Sequence, residues 1–225
     1  MAKAKAKPII TAEQIAHSYI DYVLTNDAPP KSVYVFAKTL GISEAEFYNY
    51  FASFEAIESN EWDSLTRETI ALSSSQDVWS QYSSREKMLS FFYSFIELLK
   101  SRRSFIIYSL NHKCNRLSTP SALTSTRSMF ENFSEEIIQE GLESGELADR
   151  KLFTKRYKDA LWIQFKFILN FWIDDSSAEF EKTDEVIEKG INVTFDLFQR
   201  SPIDNLFEYG KFLAQNNKFK EKMGL

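Results

Sequence analysis

Apolar residues recur at helical spacing along nearly the whole chain. In the first segment they follow one another at steps of four, three and one residues, which places them on one face of an α-helix: Ile15, Tyr19, Tyr22 and Val23. Thr11 with Gln14 three residues later is a capping-box pattern for the start of this helix. The pattern predicts an end near Asn26, before the pair Pro29-Pro30.

Three further helices are expected before residue 75. A short helix covers residues 31–40 and is stopped by Gly41, and Ser43 with Glu46 forms a capping box that opens the next. A longer helix runs from about Phe54 to Leu72, and the run of serines at 73–75 predicts the first break between regions.

Longer helices are expected beyond that break. Four of them are predicted at 84–100, 102–112, 151–174 and 181–199. Another begins at Thr119, with Pro120 at its first helical position, and ends at the Gly141/Gly145 pair. The last runs from Ser201-Pro202 to about Lys222. No strand pattern competes with these helices, so the sequence predicts an all-α fold.

Composition narrows the functional classes. The chain has 225 residues, of which 44% are apolar and 15% aromatic, including 20 Phe, so it can bury a substantial core and is not a disordered or fibrous sequence. Its single cysteine, Cys114, excludes an internal disulfide and fits a reducing compartment. With two histidines besides, a zinc site has too few ligands, and we expect neither a metal nor a cofactor.

The N-terminus carries no targeting signal that we recognise. Lys3, Lys5 and Lys7 alternate with alanine, and no apolar segment follows them, so we expect residues 1–10 to form a basic flexible arm and the protein to be cytoplasmic. No run of 18 apolar residues is present to predict a transmembrane helix.

The second and third helices carry the most informative pattern. Two short helices joined by a glycine turn follow the plan of a helix-turn-helix unit. The residues Lys31 to Ser43, ending Lys-Thr-Leu-Gly-Ile-Ser, and then Phe-Tyr-Asn-Tyr-Phe-Ala-Ser at 47–53, resemble the DNA-binding domain of the TetR family. The segment Glu140 to Leu147 is similar to the glycine-containing turn before the last two long helices of that family.

The resemblance implies a domain plan. Residues 11–72 would form the helix-turn-helix domain, 76–200 the ligand-binding and dimerisation domain, and 201–225 an extra amphipathic helix. It also implies a homodimer that pairs through helices 151–174 and 181–199, with residues 44–51 as the recognition helix. The protein would then be a transcriptional regulator that binds operator DNA and is released by an apolar small molecule.

The resemblance also suggests site residues. The candidates for DNA contact are Lys31, Lys38, Tyr48, Asn49 and Tyr50, and those for lining the ligand pocket are Phe91, Phe92, Phe95, Tyr108, Trp162 and Phe165. Phe51 is expected in the core of the three-helix unit, whereas Tyr48 fits a core role and a DNA contact equally well. The same aromatic residues fit core packing as well as a pocket, because a pocket is cut from core residues.

The charge of the helix-turn-helix segment is unusual for a DNA-binding protein. Between residues 8 and 70 there are three basic and ten acidic side chains, whereas affinity for DNA comes largely from neutralised phosphates. Glu44 and Glu46 fall in the first turn of the expected recognition helix. Phe54 stands where the family pattern has a lysine.

The last helix supports an alternative function. Residues 203–225 carry apolar stripes and the cluster Lys211, Lys218, Lys220 and Lys222, which predicts a basic amphipathic helix. Such a helix is typical of proteins that bind a membrane surface. The alternative is therefore a TetR-fold protein that has lost DNA binding and binds a lipid or isoprenoid at a membrane, similar in kind to a lipid-binding relative of this fold from ubiquinone biosynthesis. The simpler interpretation of the terminal helix is that its first apolar stripe packs on its own domain and its tail is solvated.

Catalytic patterns are weak. His112 and Cys114 are two residues apart and would lie on different sides of a helix. Asp174 and Asp175 are expected to be solvated turn residues. The sequence therefore does not predict an enzyme.

Overall fold

The computed structural model describes residues 10–111, 119–150, 154–199 and 209–212, and these residues form helices and turns without a β-strand. The all-α prediction is confirmed. The principal helices are α1 (Ala12–Asn26), α2 (Val33–Thr39), α3 (Glu44–Tyr48), α4 (Phe54–Ser74), α5 (Ser84–Lys100), α6 (Arg103–Asn111), α7 (Thr124–Ser144), α8 (Tyr157–Asp174) and α9 (Glu181–Phe198).

Most helix starts follow from local capping. At α1 the Thr11 hydroxyl accepts from the backbone N–H of Gln14 at 3.2 Å, and the Gln14 side chain accepts from the Thr11 N–H at 3.0 Å. The same reciprocal pair joins Ser43 and Glu46 at α3, so both predicted capping boxes are confirmed. Each pair satisfies backbone donors that a helix start leaves without partners.

The region around Pro120 differs from the prediction. Pro120 does not occupy the first position of a long α-helix but caps a 3₁₀ turn, Ser121–Leu123, and α7 begins only at Thr124. At the other end, Gly141 lies inside α7, and Gly145 ends the helix in the left-handed conformation with φ 78°. That conformation is open to glycine without steric cost.

The first three helices and the start of α4 enclose a small aromatic core. Phe36 and Phe47 meet edge to face with their ring centroids 6.2 Å apart, and Tyr19 stacks on Phe54 at 5.1 Å. Phe51 is buried beside them, as the sequence predicted. These contacts fix the relative orientation of α1, α2 and α3.

The second half of the chain has a larger aromatic core. Helices α5, α7 and α8 pack together, and α9 packs on α5 and α8. Phe130 and Phe165 lie 5.0 Å apart between α7 and α8, and Phe95 lies 5.0 Å from Phe165. The long α4 joins the two cores, since it contacts α1, α5 and α7.

Several sequence predictions lie outside the described residues. They are the basic arm before residue 10, His112, Cys114, and all of the terminal amphipathic helix except 209–212. In the described part of that helix, Tyr209 and Phe212 are exposed.

Candidate nucleic-acid interface

The turn between α2 and α3 has the geometry of a helix-turn-helix unit. Gly41 adopts a left-handed conformation with φ 70°, and the backbone N–H of Ile42 donates to the carbonyl of Ala37 at 3.0 Å. A side chain at residue 41 would be strained by that φ, so glycine permits the tight turn. With Phe36 packed on Phe47, the turn holds α3 across α2.

The outer face of α3 is available for contact. Phe47 is completely buried, whereas Ala45, Tyr48 and Asn49 are exposed, with 51% of Tyr48 accessible. The Tyr48 hydroxyl donates to Glu44 Oε1 at 3.2 Å, one helical turn away. Reduced hydration and this hydrogen bond raise the pKa of the Tyr48 hydroxyl, so it remains a neutral donor.

The two glutamates of α3 have different environments. Glu46 closes the capping box, where its Oε2 accepts from the backbone N–H of Ser43 at 2.7 Å and from the Ser43 hydroxyl at 2.8 Å. Glu44 instead lies beside Tyr48 on the side of the helix that leads to the exposed face. Capping therefore accounts for a glutamate at position 46, but it does not account for the one at position 44.

The other candidate DNA contacts flank this face. Tyr50 is exposed, and its hydroxyl donates to the carbonyl of Ile10 at 2.8 Å, which ties the loop after α3 to the start of α1. Lys31 precedes the N-cap residue Ser32 of α2, and Lys38 lies in its last turn. Both lysines are exposed. Whether these residues and Tyr48 and Asn49 bind DNA remains a prediction.

Buried polar contacts connect the helix-turn-helix unit to the rest of the chain. The Tyr19 hydroxyl of α1 donates to Glu58 Oε1 of α4 at 2.8 Å, and Tyr108 of α6 interacts with both residues. Burial and the neighbouring carboxylate raise the pKa of Tyr19. One turn further along α4, Trp62 Nε1 donates to the Ser109 hydroxyl of α6 at 3.1 Å. We call these five residues the junction.

An ion pair extends this contact towards solvent. Arg102 Nη1, just before α6, lies 2.6 Å from Glu61 Oε2 on α4. Burial raises the pKa of Glu61, although the positive charge of Arg102 opposes this. Movement of α6 relative to α4 would therefore disturb hydrogen bonds and an ion pair together.

The residues predicted to line a ligand pocket fall into two groups. Tyr108 belongs to the junction. The other five form a close-packed ring cluster with neighbouring centroids 4.8 to 6.0 Å apart: Phe91, Phe92, Phe95, Trp162 and Phe165. All of them are buried. Their role as pocket lining remains a prediction, and in this conformation they pack as core.

A cavity of about 510 Å³ lies beside α8. It is bounded by the end of α6, the turn at Pro120 and Leu123, and the C-terminal half of α8. About half of its walls are apolar, and charged side chains of both signs line the rest: Lys166, Lys182, Asp174 and Asp175. None of the six predicted lining residues borders it.

The outer faces of α8 and α9 expose a second kind of surface. Ile163 and Phe167 on α8 are 64% and 55% accessible, and Val193 and Leu197 on α9 are 59% and 66% accessible. The residues of each pair are four positions apart and share a helical face. We call these four residues the apolar face.

The turn between α8 and α9 contains two aspartates, and one of them differs from the sequence expectation. Asp174 is exposed as expected, but Asp175 is buried and accepts from the backbone N–H and hydroxyl of Ser177 and of Thr183, at 2.7 to 3.0 Å. Burial alone would raise its pKa, but these four hydrogen bonds lower the pKa of Asp175 to about 2. Asp175 is therefore a helix cap rather than a solvated turn residue.

Arg103 was not singled out from the sequence. Its guanidinium donates to the carbonyls of Trp172 and Ile173 at 2.7 and 2.8 Å, and lies 4.6 Å from the ring centroids of Trp172 and Phe180. It thereby binds the start of α6 to the end of α8. An arginine at the start of a helix gives no local signal for partners about seventy residues away.

Within the described ranges, no three histidine, cysteine, aspartate or glutamate residues are grouped so that they could bind a metal ion. No helix in that part of the chain combines the length and apolar character needed to cross a membrane.

Comparisons with known proteins identify the family. Residues 87–213 match the family described as tetracyclin repressor-like, C-terminal domain. The match spans more than half of the sequence, and the chain belongs to the TetR family of regulators. No curated protein matches it.

Solved structures support the same fold. A protein of unknown function from Rhodococcus sp. RHA1 is 11% identical, with a TM-score of 0.57, and the match covers 89% of this chain and 100% of that protein's chain. A putative TetR-family transcription regulator from Shewanella sp. PV-4 is 15% identical, with a TM-score of 0.57, and the match covers 85% of this chain and 100% of that one. A TetR-family regulatory protein from Rhodococcus RHA1 is 12% identical, with a TM-score of 0.52, and the match covers 87% of this chain and 100% of that one.

Proposed function

We propose that this TetR-family regulator binds operator DNA as a homodimer and is released from it by an apolar small molecule. The observation that carries the proposal is the outer face of α3. Ala45, Tyr48 and Asn49 are exposed together on a short helix held by a glycine turn across α2. A recognition helix needs such a face to enter the major groove.

Phosphate contacts would come from the edges of this face. Lys31, just before α2, and Lys38, in the last turn of α2, are exposed, and lysine side chains are common phosphate contacts. Several of the ten acidic side chains in this domain are held by other protein groups, among them Glu46, Glu58, Glu61 and Asp63. Their contacts direct these carboxylates along or into the protein, which lowers the repulsion that the domain presents to DNA.

The apolar face favours a second copy of the chain as partner. Four large apolar side chains on two adjacent helices are each more than half exposed, and such a patch is typical of an interface. An interface between identical chains places the same patch on both sides of a two-fold axis. Pairing through α8 and α9 would use helices other than α2 and α3, which pack on each other.

The ligand would act through α6. The cavity beside α8 includes Leu110 near the end of α6, and the junction connects Tyr108 and Ser109 of α6 to α1 and α4. A ligand that shifts α6 would therefore move the helix-turn-helix units relative to each other. Release requires that the ligand bind more tightly to the arrangement that does not fit the operator.

Fluorescence anisotropy of the purified protein tests the proposal. The probes are a duplex from upstream of its own gene and a random duplex, each at about 50 and 200 mM salt, where phosphate-driven binding falls steeply. We expect selective binding to the upstream duplex that weakens as salt rises. Equal, weak binding to both duplexes at low salt, after removal of any bound ligand, would contradict it.

A further inference from the structure

We propose that Glu44 reads a cytosine in the operator, with its carboxylate accepting from the N4 amino group in the major groove, and that Tyr48 positions it. This inference rests on the proposed DNA-binding function and adds to it the identity of one base. It also gives a role to an acidic residue that would otherwise only repel DNA.

The position of Glu44 is suitable for a base contact. It lies in the first turn of α3, and the N-terminal residues of a recognition helix are those that contact base edges. Ala45, the next residue, is small and exposed, so it permits a close approach of the helix to the floor of the groove.

The chemistry of the carboxylate selects among the four bases. An ionised glutamate only accepts hydrogen bonds. In the major groove guanine presents two acceptors, thymine one acceptor and a methyl group, and adenine an acceptor beside its amino group, whereas cytosine presents an amino donor alone. Only cytosine therefore offers a donor without an acceptor that would repel the carboxylate.

The local contacts separate Glu44 from its neighbour Glu46. The Glu46 carboxylate is bound to both the N–H and the hydroxyl of Ser43, as a capping box requires. Glu44 Oε1 accepts from the Tyr48 hydroxyl, which holds the side chain along the edge of the exposed face. We assign Oε2 to the cytosine.

In-vitro selection from a library of duplexes tests the assignment. The random region is about 20 base pairs long, enough for two half-sites one helical turn apart. The full-length protein is compared with Glu44→Gln and with Glu68→Gln, which removes one negative charge from an exposed position of α4 in the same domain. Circular dichroism and sedimentation confirm that each variant is folded and has the wild-type oligomeric state.

The expected result is a change of base at one position in each half-site. Wild type and Glu68→Gln select cytosine there, and Glu44→Gln selects adenine, since glutamine pairs with the N6 and N7 atoms of adenine. Anisotropy on duplexes that differ only at this base pair should show a preference of about tenfold to a hundredfold for cytosine in the wild type.

Tyr48→Phe tests the positioning role. It should lower the preference at that one base pair while leaving cytosine as the favoured base. A uniform loss of affinity for all duplexes would instead make Tyr48 a phosphate contact and overturn its positioning role.

The two proposals fail in different ways. If the wild type selects no common sequence, the DNA-binding function is wrong, and the role of Glu44 fails with it. If the wild type selects a clear sequence and Glu44→Gln selects the same base at every position, the DNA-binding function stands and the role of Glu44 is overturned.

Discussion

The outer face of α3 and the apolar face of α8 and α9 are both exposed, but their chemistry differs. The α3 face presents a tyrosine hydroxyl, an asparagine amide and a glutamate carboxylate, whereas the apolar face presents Ile163, Phe167, Val193 and Leu197. Hydrogen-bonding groups suit a surface that meets a hydrated, polar partner and leaves it again. Large aliphatic and aromatic groups suit a contact that persists.

The helices that carry the two surfaces also differ in the amount of aromatic packing that holds them. Helix α8 packs on α7 through a large cluster of aromatic rings that includes Phe130 and Phe165, and α3 packs on α2 through a smaller one around Phe36 and Phe47. Both surfaces depend on aromatic packing for their shape.

Phe165→Ala should lower the free energy of unfolding by about 3–5 kcal/mol, because it removes a completely buried ring from close-packed neighbours. Urea denaturation measures the change. Tyr34→Ala, which removes an exposed ring on α2, should change the value by only about 0.5 kcal/mol. A loss for Phe165→Ala below about 1 kcal/mol would mean that this residue borders a cavity, as its predicted role in ligand binding requires.

Leu197→Asp or Phe167→Asp should weaken self-association by about a hundredfold or more, since each places a charge in the apolar face. Sedimentation velocity over a range of protein concentrations measures the dimer. Leu72→Asp, at an exposed position of α4, is the matched control and should leave association unchanged. If all three variants associate as the wild type does, the dimer uses another surface.

Tyr48→Ala and Tyr50→Ala should each weaken operator binding by about tenfold while leaving the dimer intact, because the first removes a hydroxyl and a ring from the α3 face and the second removes them from the loop beside it. Anisotropy at about 100 mM salt measures the affinity. Tyr93→Ala, on the exposed side of α5, provides the control. Unchanged affinity for both variants would count against this face as the DNA contact.

Asp175→Ala should cost about 2 kcal/mol at neutral pH, because it removes the cap between α8 and α9 and the hydrogen bonds that lower the pKa of Asp175. The pKa of Asp175 is about 2 in the folded protein and about 3.9 in an unfolded chain, so its contribution is present above pH 4 and is lost as the pH falls through 2. Urea denaturation of wild type and variant should therefore converge as the pH is lowered. Asp174→Ala, at the exposed neighbour, should show no such convergence.

The features that the sequence predicted well are local. A capping box needs partners only three residues apart, so the starts of α1 and α3 could be recognised from the chain alone. The burial of Phe47 and Phe51 follows from helical periodicity, and the exposure of Asn49 follows from the same pattern.

Features that depend on distant partners could not be predicted. Asp175 meets Thr183 only because the turn after α8 folds back, and Arg103 meets the end of α8 about seventy residues later. A pattern of phenylalanines at helical spacing is the same for a packed core and for a pocket wall. The difference lies in how completely the neighbouring helices fill the space, which is a property of the tertiary structure.

The junction has a consequence for how the protein unfolds. Tyr19 and Trp62 belong to the first four helices but are completely buried and have hydrogen-bonding partners on α4 and α6. If the second half of the chain melted first, the Trp62 ring and its N–H would lose their packing and their acceptor. The two halves should therefore unfold together in one cooperative thermal transition, and a fragment that ends at α4 should be far less stable than the whole chain.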